Sequence, residues 1–596
     1  MIKRILNKYF ESFAYFYSYL GYRIFILVGL SILIGLLDGF GLSMFLPLLQ
    51  MINENNTTDS ESLGKLQFLV ELLNDSGIGV SLMSVLLFMM VFFILKGMAV
   101  YMAGVYSVNV REWFVKGLRL KNIKHLKNIT YKYFVGSDIG RIQNTLTGEV
   151  DRVAGSYFNY FKAMEAGVLV IVYMGFAFTM DAQFAILVSI GGGLTNFLYK
   201  GLYAKTKGAS ISLTGENNVF QSLIIQNVAN YKYLKATGTL GKYGEKLKKS
   251  VLKIRDDKRK IGQLDSLLTA AREPLLIIIV VAVIYIQTSF FGASLGPILL
   301  SLFFFYRALS YLLQLQSRWN KFLGMSGSLN NMDSFTRELK ANKEETGNQN
   351  INGKIAQLKL KNIDFCYGLT KVINNVTLTI KQNETLAFVG ESGSGKTTLV
   401  NIIAGLLPPG KGSFAINSNR VEDLNIRSLQ AKIGYITQDP VIFNDSLFNN
   451  VTFWSKKNRI NLRKFNKAIK QAAIFDFVQE LKEKEDAILG SNGMNLSGGQ
   501  RQRISIAREL YKEVEILILD EATSALDSET EKAIQRNIDE LKGKYTILIV
   551  AHRISTIKNA DRIVVMKNGE IENIDPFEDL VGKSPYFKKL VELQEI

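Results

Sequence analysis

Apolar positions are unevenly spread along this chain. Long apolar runs fall before about Lys321, whereas after Gly353 apolar and polar residues alternate as in an ordinary soluble domain. About six of the early runs reach the roughly 20 residues that a helix needs to cross a bilayer. They lie near 24–50, 79–107, 156–180, 182–204, 267–291 and 294–323. Between them, residues 108–155 and 205–266 are polar but keep a helical pattern. The spans are therefore expected to run on past the membrane as long helices, with turns around Tyr133–Gly140 and Asn227–Tyr233. Near the start, Lys3 and Arg4 precede Tyr9, Phe10, Phe13, Tyr15, Phe16 and Tyr19, which suits an amphipathic interfacial helix. The apolar run from Ile24 is too long for a cleaved leader and reads as a retained span.

A chain of 596 residues exceeds one compact core. The expected division is an all-α, six-helix transmembrane domain over 1–330, a polar link over 331–352, and an α/β domain over 353–596. The net charge of +18 changes this picture little, because the basic residues cluster between spans. Lys116, Arg119, Lys121, Lys124, Lys127 and Lys132 follow the second run, and Lys242 to Lys260 precede the fifth. Residues 53–75 instead carry Glu54, Asp59, Glu61, Glu71 and Asp75 against Lys65 alone. Basic segments face the cytoplasm, so the soluble half is cytoplasmic, the acidic loop is external, and a nucleic-acid partner is not expected. Cys366 is the only cysteine, which excludes an intrachain disulfide and a cysteine zinc cluster.

The second half carries the chemistry. Strand-like Thr385–Val389 runs into Gly390, Glu391, Ser392, Gly393, Ser394, Gly395, Lys396, Thr397 and Thr398, and a helical segment follows. Glycines let backbone N–H groups converge at a helix N-terminus, where the partial positive charge favours phosphate. Lys396 suits the β- and γ-phosphates of ATP, and the Thr397 hydroxyl suits Mg2+. Ile516–Leu519 is a short apolar strand that delivers Asp520 toward the metal. Glu521 follows it, where a general base would orient the attacking water.

Leu496-Ser497-Gly498-Gly499-Gln500, set between the phosphate loop and the acidic strand, resembles the signature sequence of ATP-binding cassette (ABC) transporters. The resemblance covers about 353–596 and implies further roles. Tyr367 would stack on adenine, and Gln438 would link Mg2+ and the water to the membrane domain. Asp527, in Ser524-Ala525-Leu526-Asp527, would lie at a dimer seam, and His552 would contact the γ-phosphate. The signature residues Ser497, Gly498, Gly499 and Gln500 would close over ATP held by a second copy, with Ser497 and Gly499 donating to its γ-phosphate. A chain carrying both halves of the site is expected to act as a homodimer. Ser491 departs from the family, whose exporters usually have glutamate before the Asn-Gly pair ahead of the signature.

The order of halves resembles an exporter-type half transporter, multi-pass in a bacterial plasma membrane with its ATPase inside. Cargo must be sought among charges in the spans, where each ionised group costs about 2.5–3.5 kcal/mol on insertion scales. These are Asp38, Lys96, Glu165, Arg272, Glu273 and Arg307. Lys96, Arg272 and Arg307 come from three spans and could line one cavity as a cationic belt for a phosphate or pyrophosphate. Alternatively the charges pair internally, for example Arg272 or Arg307 with Asp38 or Glu273. With Leu37–Leu42 and an external segment whose Leu63, Leu66, Leu69, Leu72 and Leu73 give a short helix one apolar face, the belt makes the chain similar to flippases of lipid-linked oligosaccharides. The resemblance thus implies membrane lipid and an amphipathic or lipid-linked substrate as partners. A multidrug or general lipid exporter, with Phe303, Phe304, Phe305 and Tyr306 lining its cavity, is the second reading. An ATP-gated channel or a regulatory subunit is a third.

Overall fold

The computed structural model describes residues 2–45, 48, 81–180, 182–291, 295–520, 528–551 and 553–592. The chain forms two compact units, one of 1–129 with 136–343 and one of 130–135 with 344–596. The expected external segment at 53–75 lies outside the described residues.

The first unit is helical. Its helices are α1 (Ile2–Leu20), α2 (Arg23–Ser43), α3 (Leu82–Leu126), then, beyond the short α4 (Tyr131–Val135) that groups with the second unit, α5 (Ile139–Leu146), α6 (Gly148–Met180) and α7 (Ala182–Ala229). They continue with α8 (Tyr231–Ala236), α9 (Leu240–Phe291), α10 (Leu295–Leu323) and α11 (Ser326–Ala341). Among the described residues, α2, α3, α6 and α9 are long and apolar enough to cross a membrane. Helices α7 and α10 coincide with the other two expected spans. At 45 residues, α3 is about 68 Å long at 1.5 Å per residue. That is more than twice the roughly 30 Å of a hydrocarbon core, so such a helix must extend into water. Its apolar residues Leu86, Met90, Ile94, Met98 and Tyr101 are exposed, as lipid-facing positions would be.

The aromatic face of α1 is partly internal. Phe16 is fully buried, with its ring 5.5 Å from Phe114 of α3 and 5.6 Å from Tyr157 of α6. Edge-to-face packing of this kind adds about 0.5–1.5 kcal/mol per pair beyond burial. Helix α11 packs on α7 so closely that a Cβ on Gly327 would lie 2.4 Å from the Ser210 carbonyl oxygen.

The second unit is an α/β domain of two sheets. The antiparallel sheet has order β2-β1-β4-β5, with β1 (Gln357–Tyr367), β2 (Thr370–Lys381), β4 (Lys411–Ile416) and β5 (Asn419–Arg420). The larger sheet has order β10-β9-β3-β8-β7-β6 and is parallel from β9 to β6. Its strands are β3 (Thr385–Val389), β6 (Ile433–Ile436), β7 (Ile516–Asp520), β8 (Thr546–Val550), β9 (Arg562–Lys567) and β10 (Glu570–Asp575).

The central strands are apolar almost throughout because both faces are covered. Leu386, Phe388, Ile516, Ile518, Leu548 and Val550 enter one core. Ala387, Val389, Leu517, Leu519, Ile547 and Ile549 enter the other. Within this unit, Lys132 of α4 donates to the Cys366 carbonyl at 3.5 Å and lies 5.6 Å from the Phe365 ring.

The glycine contact yields a test. Gly327→Ala is expected to cost about 1–3 kcal/mol by overpacking, seen as a lower melting temperature. Gly244→Ala, in open space on α9, should be neutral or stabilising by up to about 1 kcal/mol. Equal melting temperatures for the two variants would contradict the close packing of α11 on α7.

Candidate functional site

Parallel sheets bind ligands beyond the carboxyl ends of their strands, and β3, β7 and β8 end at one edge. The phosphate loop leaves β3 there and leads into α12 (Lys396–Ile403). Two glycines are required by backbone shape. Gly390 has φ +148°, and a Cβ there would sit 2.2 Å from the Met566 carbonyl oxygen. Gly395 has φ +100° and caps α12, with a hypothetical Cβ 2.8 Å from Ile373. Lys396 is buried, and its Nζ donates to the carbonyls of Gly390 and Glu391, each at 2.9 Å. The Glu391 N–H donates to the Tyr586 hydroxyl at 3.0 Å. Ser392, Gly393 and Thr397 are exposed, Thr398 is half-buried and Ser394 is buried. A cradle that admits no Cβ, a helix N-terminus and one buried ammonium fit a polyphosphate.

Asp520 ends β7 and accepts from the Tyr435 hydroxyl at 3.0 Å, while the Asn401 side chain of α12 lies 3.1 Å from the same hydroxyl. Burial first, then the charge of Asp520, pushes the Tyr435 hydroxyl well above its ordinary range, so it stays a neutral donor. Tyr435 thus ties the acidic strand to the helix of the phosphate loop. It directly follows Gly434 and opens the motif around Gln438, but its spacing alone assigns it no partner. Thr397 and Asp520 offer the oxygen ligands that Mg2+ prefers. Gln438 is exposed just beyond β6, and Tyr367 ends β1, partly exposed and edge-on to Phe365 at 5.0 Å.

The signature begins α13 (Gly498–Tyr511). The Ser497 hydroxyl accepts from the Gln500 N–H at 3.2 Å, and the Gln500 side chain accepts from the Ser497 N–H at 2.8 Å. This reciprocal capping box leaves two backbone donors satisfied and occupies the Gln500 side chain in holding Ser497. Gly499 is buried, and Gly498 and Ser497 are open to solvent to different degrees. Further along α13, the buried Arg508 guanidinium donates to the Asn450 carbonyl at 2.6 Å and to its side-chain oxygen at 3.1 Å. Glu521, Asp527 and His552 lie outside the described residues, as does the Ser491 side chain.

In the membrane unit, two of the three expected cations converge. Asp38 of α2 is fully buried and accepts from Lys96 of α3 and from the Tyr173 hydroxyl of α6. Arg307 Nε of α10 is 3.7 Å from the same carboxylate. Arg272 of α9 is elsewhere and donates to the Ser310 carbonyl at 3.3 Å. Glu165 pairs with Lys162 at 2.7 Å. Of the aromatic quartet on α10, Phe304 and Phe305 are buried in helix packing, and Phe303 and Tyr306 are exposed.

A helical membrane unit joined to an α/β unit with a phosphate loop and an acidic strand defines an ATP-driven membrane transporter. Comparison with known proteins gives the family. The model of the ABC transporter transmembrane region matches residues 24–314, and that of the ABC transporter matches residues 373–524. The heterocyst differentiation ATP-binding protein HepA of Nostoc sp. is 28% identical over 83% of this chain and 81% of its own. An ATP-dependent lipid A-core flippase of Syntrophus aciditrophicus is 28% identical over 84% of each chain. A protein of the same description from Saccharophagus degradans is 40% identical over 42% of each. A solved bacterial Atm1-family ABC exporter with ATP bound shares the fold, with a TM-score of 0.78 at 19% identity over 96% of this chain and 97% of that one. The chain belongs to the ABC transporters, as an exporter-type half transporter similar to flippases. It is an integral membrane protein that binds ATP and couples its hydrolysis to transport.

Tyr435→Phe tests the link between strand and loop. Loss of a hydrogen bond to a charged acceptor is expected to cost about 1.5–3 kcal/mol, read as a lower melting temperature together with a lower kcat for ATP. Wild-type values of both would show that the Tyr435 hydroxyl is dispensable.

Proposed function

We propose that two copies of this chain form a homodimer that flips an anionic, lipid-linked amphiphile, such as a polyprenyl pyrophosphate carrying a sugar, across a bacterial plasma membrane. In this reading each copy supplies a six-span domain over 1–330 and an ATPase domain over 353–596. The phosphate loop Gly390–Thr398 of one copy and the signature Ser497–Gln500 of the other hold ATP between them, with Tyr367 on the adenine. Glu521 acts as general base, and His552 and Asp527 complete the site. Thr397, Asp520 and Gln438 would hold Mg2+, which when bound neutralises phosphate charge. Ser497, fixed by its cap, presents its hydroxyl at the N-terminus of α13, where a γ-phosphate would be stabilised only on closure of the dimer.

The observation that carries the cargo reading is the charge inside the membrane unit. Lys96 and Arg307 share one fully buried carboxylate, Asp38, while Arg272 donates to the Ser310 carbonyl. The remaining positive charge favours an anionic headgroup. The lipid A-core flippases among the relatives support the same class of substrate. Exposed Phe303 and Tyr306 favour the second reading, a multidrug or general lipid exporter.

The test is ATPase stimulation in proteoliposomes. Geranylgeranyl pyrophosphate should stimulate turnover, and geranylgeraniol and tetraphenylphosphonium should not. Stimulation by tetraphenylphosphonium alone would favour the second reading. Glu521→Gln should abolish turnover while ATP still binds, and normal hydrolysis by that variant would remove Glu521 as the base.

A further inference from the structure

The membrane unit holds two partly open cavities of about 390 Å3 each. Lys96, Lys162, Glu165 and Tyr311 belong to the lining of one, and Tyr199, Arg272, Gln316 and Lys321 to that of the other. Gln314 and Arg318 line both. Arg307, Tyr311, Gln314 and Arg318 follow one another along α10 at spacings that keep them on one helix face. That face leads from Asp38 to the junction of the cavities. Eleven residues of helix separate Arg318 from Arg307, about 16 Å along the axis, which puts Arg318 beyond the reach of Asp38.

The cations around the cavities differ in their partners. Lys96 and Arg307 share Asp38, Lys162 has Glu165 at 2.7 Å, and Lys321 has Asp265 at 3.8 Å. Among the described residues no carboxylate lies within 4.0 Å of Arg272 or Arg318. Arg272 meets the Ser310 carbonyl, and Arg318 meets the Asn159 side-chain oxygen at 3.5 Å and lies 5.7 Å from the Phe158 ring. A guanidinium offers five donors in a fixed fork matched to phosphate oxygens. Two half-buried forks on one cavity, held only by neutral groups, are a poor way to stabilise a membrane domain and a good way to bind a multivalent anion.

We propose that Arg318 and Arg272 form the subsite for the pyrophosphate headgroup of the lipid-linked substrate, and that Lys96, Asp38 and Arg307 form a structural knot beside it. The apolar tail then lies along the neighbouring cavity, past Leu27, Ile34, Val168 and Leu169. This inference rests on the anionic-amphiphile reading above and assigns its recognition to Arg318, a residue absent from the expected belt.

The experiment measures binding of geranylgeranyl pyrophosphate to the full-length protein in nanodiscs. Geranylgeraniol and inorganic pyrophosphate serve as separate arms, and the melting temperature without ligand reports folding. Arg318→Gln and Arg272→Gln should each raise the apparent Kd by about tenfold or more, the scale of one charged contact. Arg318→Lys, which keeps a cation, should lose less. Folded Gln variants that bind the pyrophosphate lipid as the wild type does would overturn the subsite and leave the flippase reading standing. A wild type that binds the lipid no better than geranylgeraniol would remove the reading itself and the subsite with it. Inorganic pyrophosphate binding as tightly as the lipid would likewise overturn a headgroup site for an amphiphile.

Discussion

Asp38 is the fixed point of the membrane unit. A carboxylate with no solvent exposure must be compensated, and here the compensation comes from Lys96 of α3, Tyr173 of α6 and Arg307 of α10. Four helices are thereby tied at one spot. The knot also sorts the cations of the interior into those engaged by a carboxylate and those held by neutral oxygens. A cavity whose walls keep positive charge without counter-charge is selective for anions by electrostatics alone. Removing one partner of such a buried set leaves the others unpaired, which is why the set is costly to break even where its net contribution to stability is small.

The ATPase unit depends on a different constraint, the covering of both faces of its central sheet. Residues alternate between two cores along β3, β7 and β8, so these strands are rigid and their carboxyl ends are held in register. Chemistry is carried on that edge by backbone shape and single side chains. Gly390 and Gly395 bring the loop against Met566 and Ile373, and Lys396 and Tyr435 tie the loop to its own carbonyls and to Asp520. The signature helix adds a capped N-terminus at Ser497. Preorganised donors of this kind stabilise developing charge without reorganising during the reaction.

Much of this is legible in the chain. The phosphate loop announces itself because glycines, lysine and threonine must occur at fixed spacing between a strand and a helix. The long helices announce themselves because apolar runs of membrane length are followed by polar helical pattern. Two features are legible only in part or not at all. The Gln500 side chain, expected at the nucleotide, caps α13 through Ser497, a local hydrogen bond that the Ser-x-x-Gln spacing does signal. Arg318 lies in an expected span but has no marker of its own. Only the spacing back through Gln314 and Tyr311 to Arg307 places it on the same helix face, and only packing of the helices decides which cations Asp38 takes. Pairings among residues on four helices are set by tertiary contact, which periodicity along one helix does not encode.

In the proposed function, ATP hydrolysis moves an anionic amphiphile from one leaflet to the other. The most direct test is leaflet accessibility of a fluorescent polyprenyl pyrophosphate in proteoliposomes, read by dithionite quenching with and without ATP. ATP-dependent loss of the quenchable fraction is expected for the pyrophosphate lipid and none for a neutral lipid with the same tail. Equal movement of both lipids, or movement that does not require ATP, would contradict the proposed function.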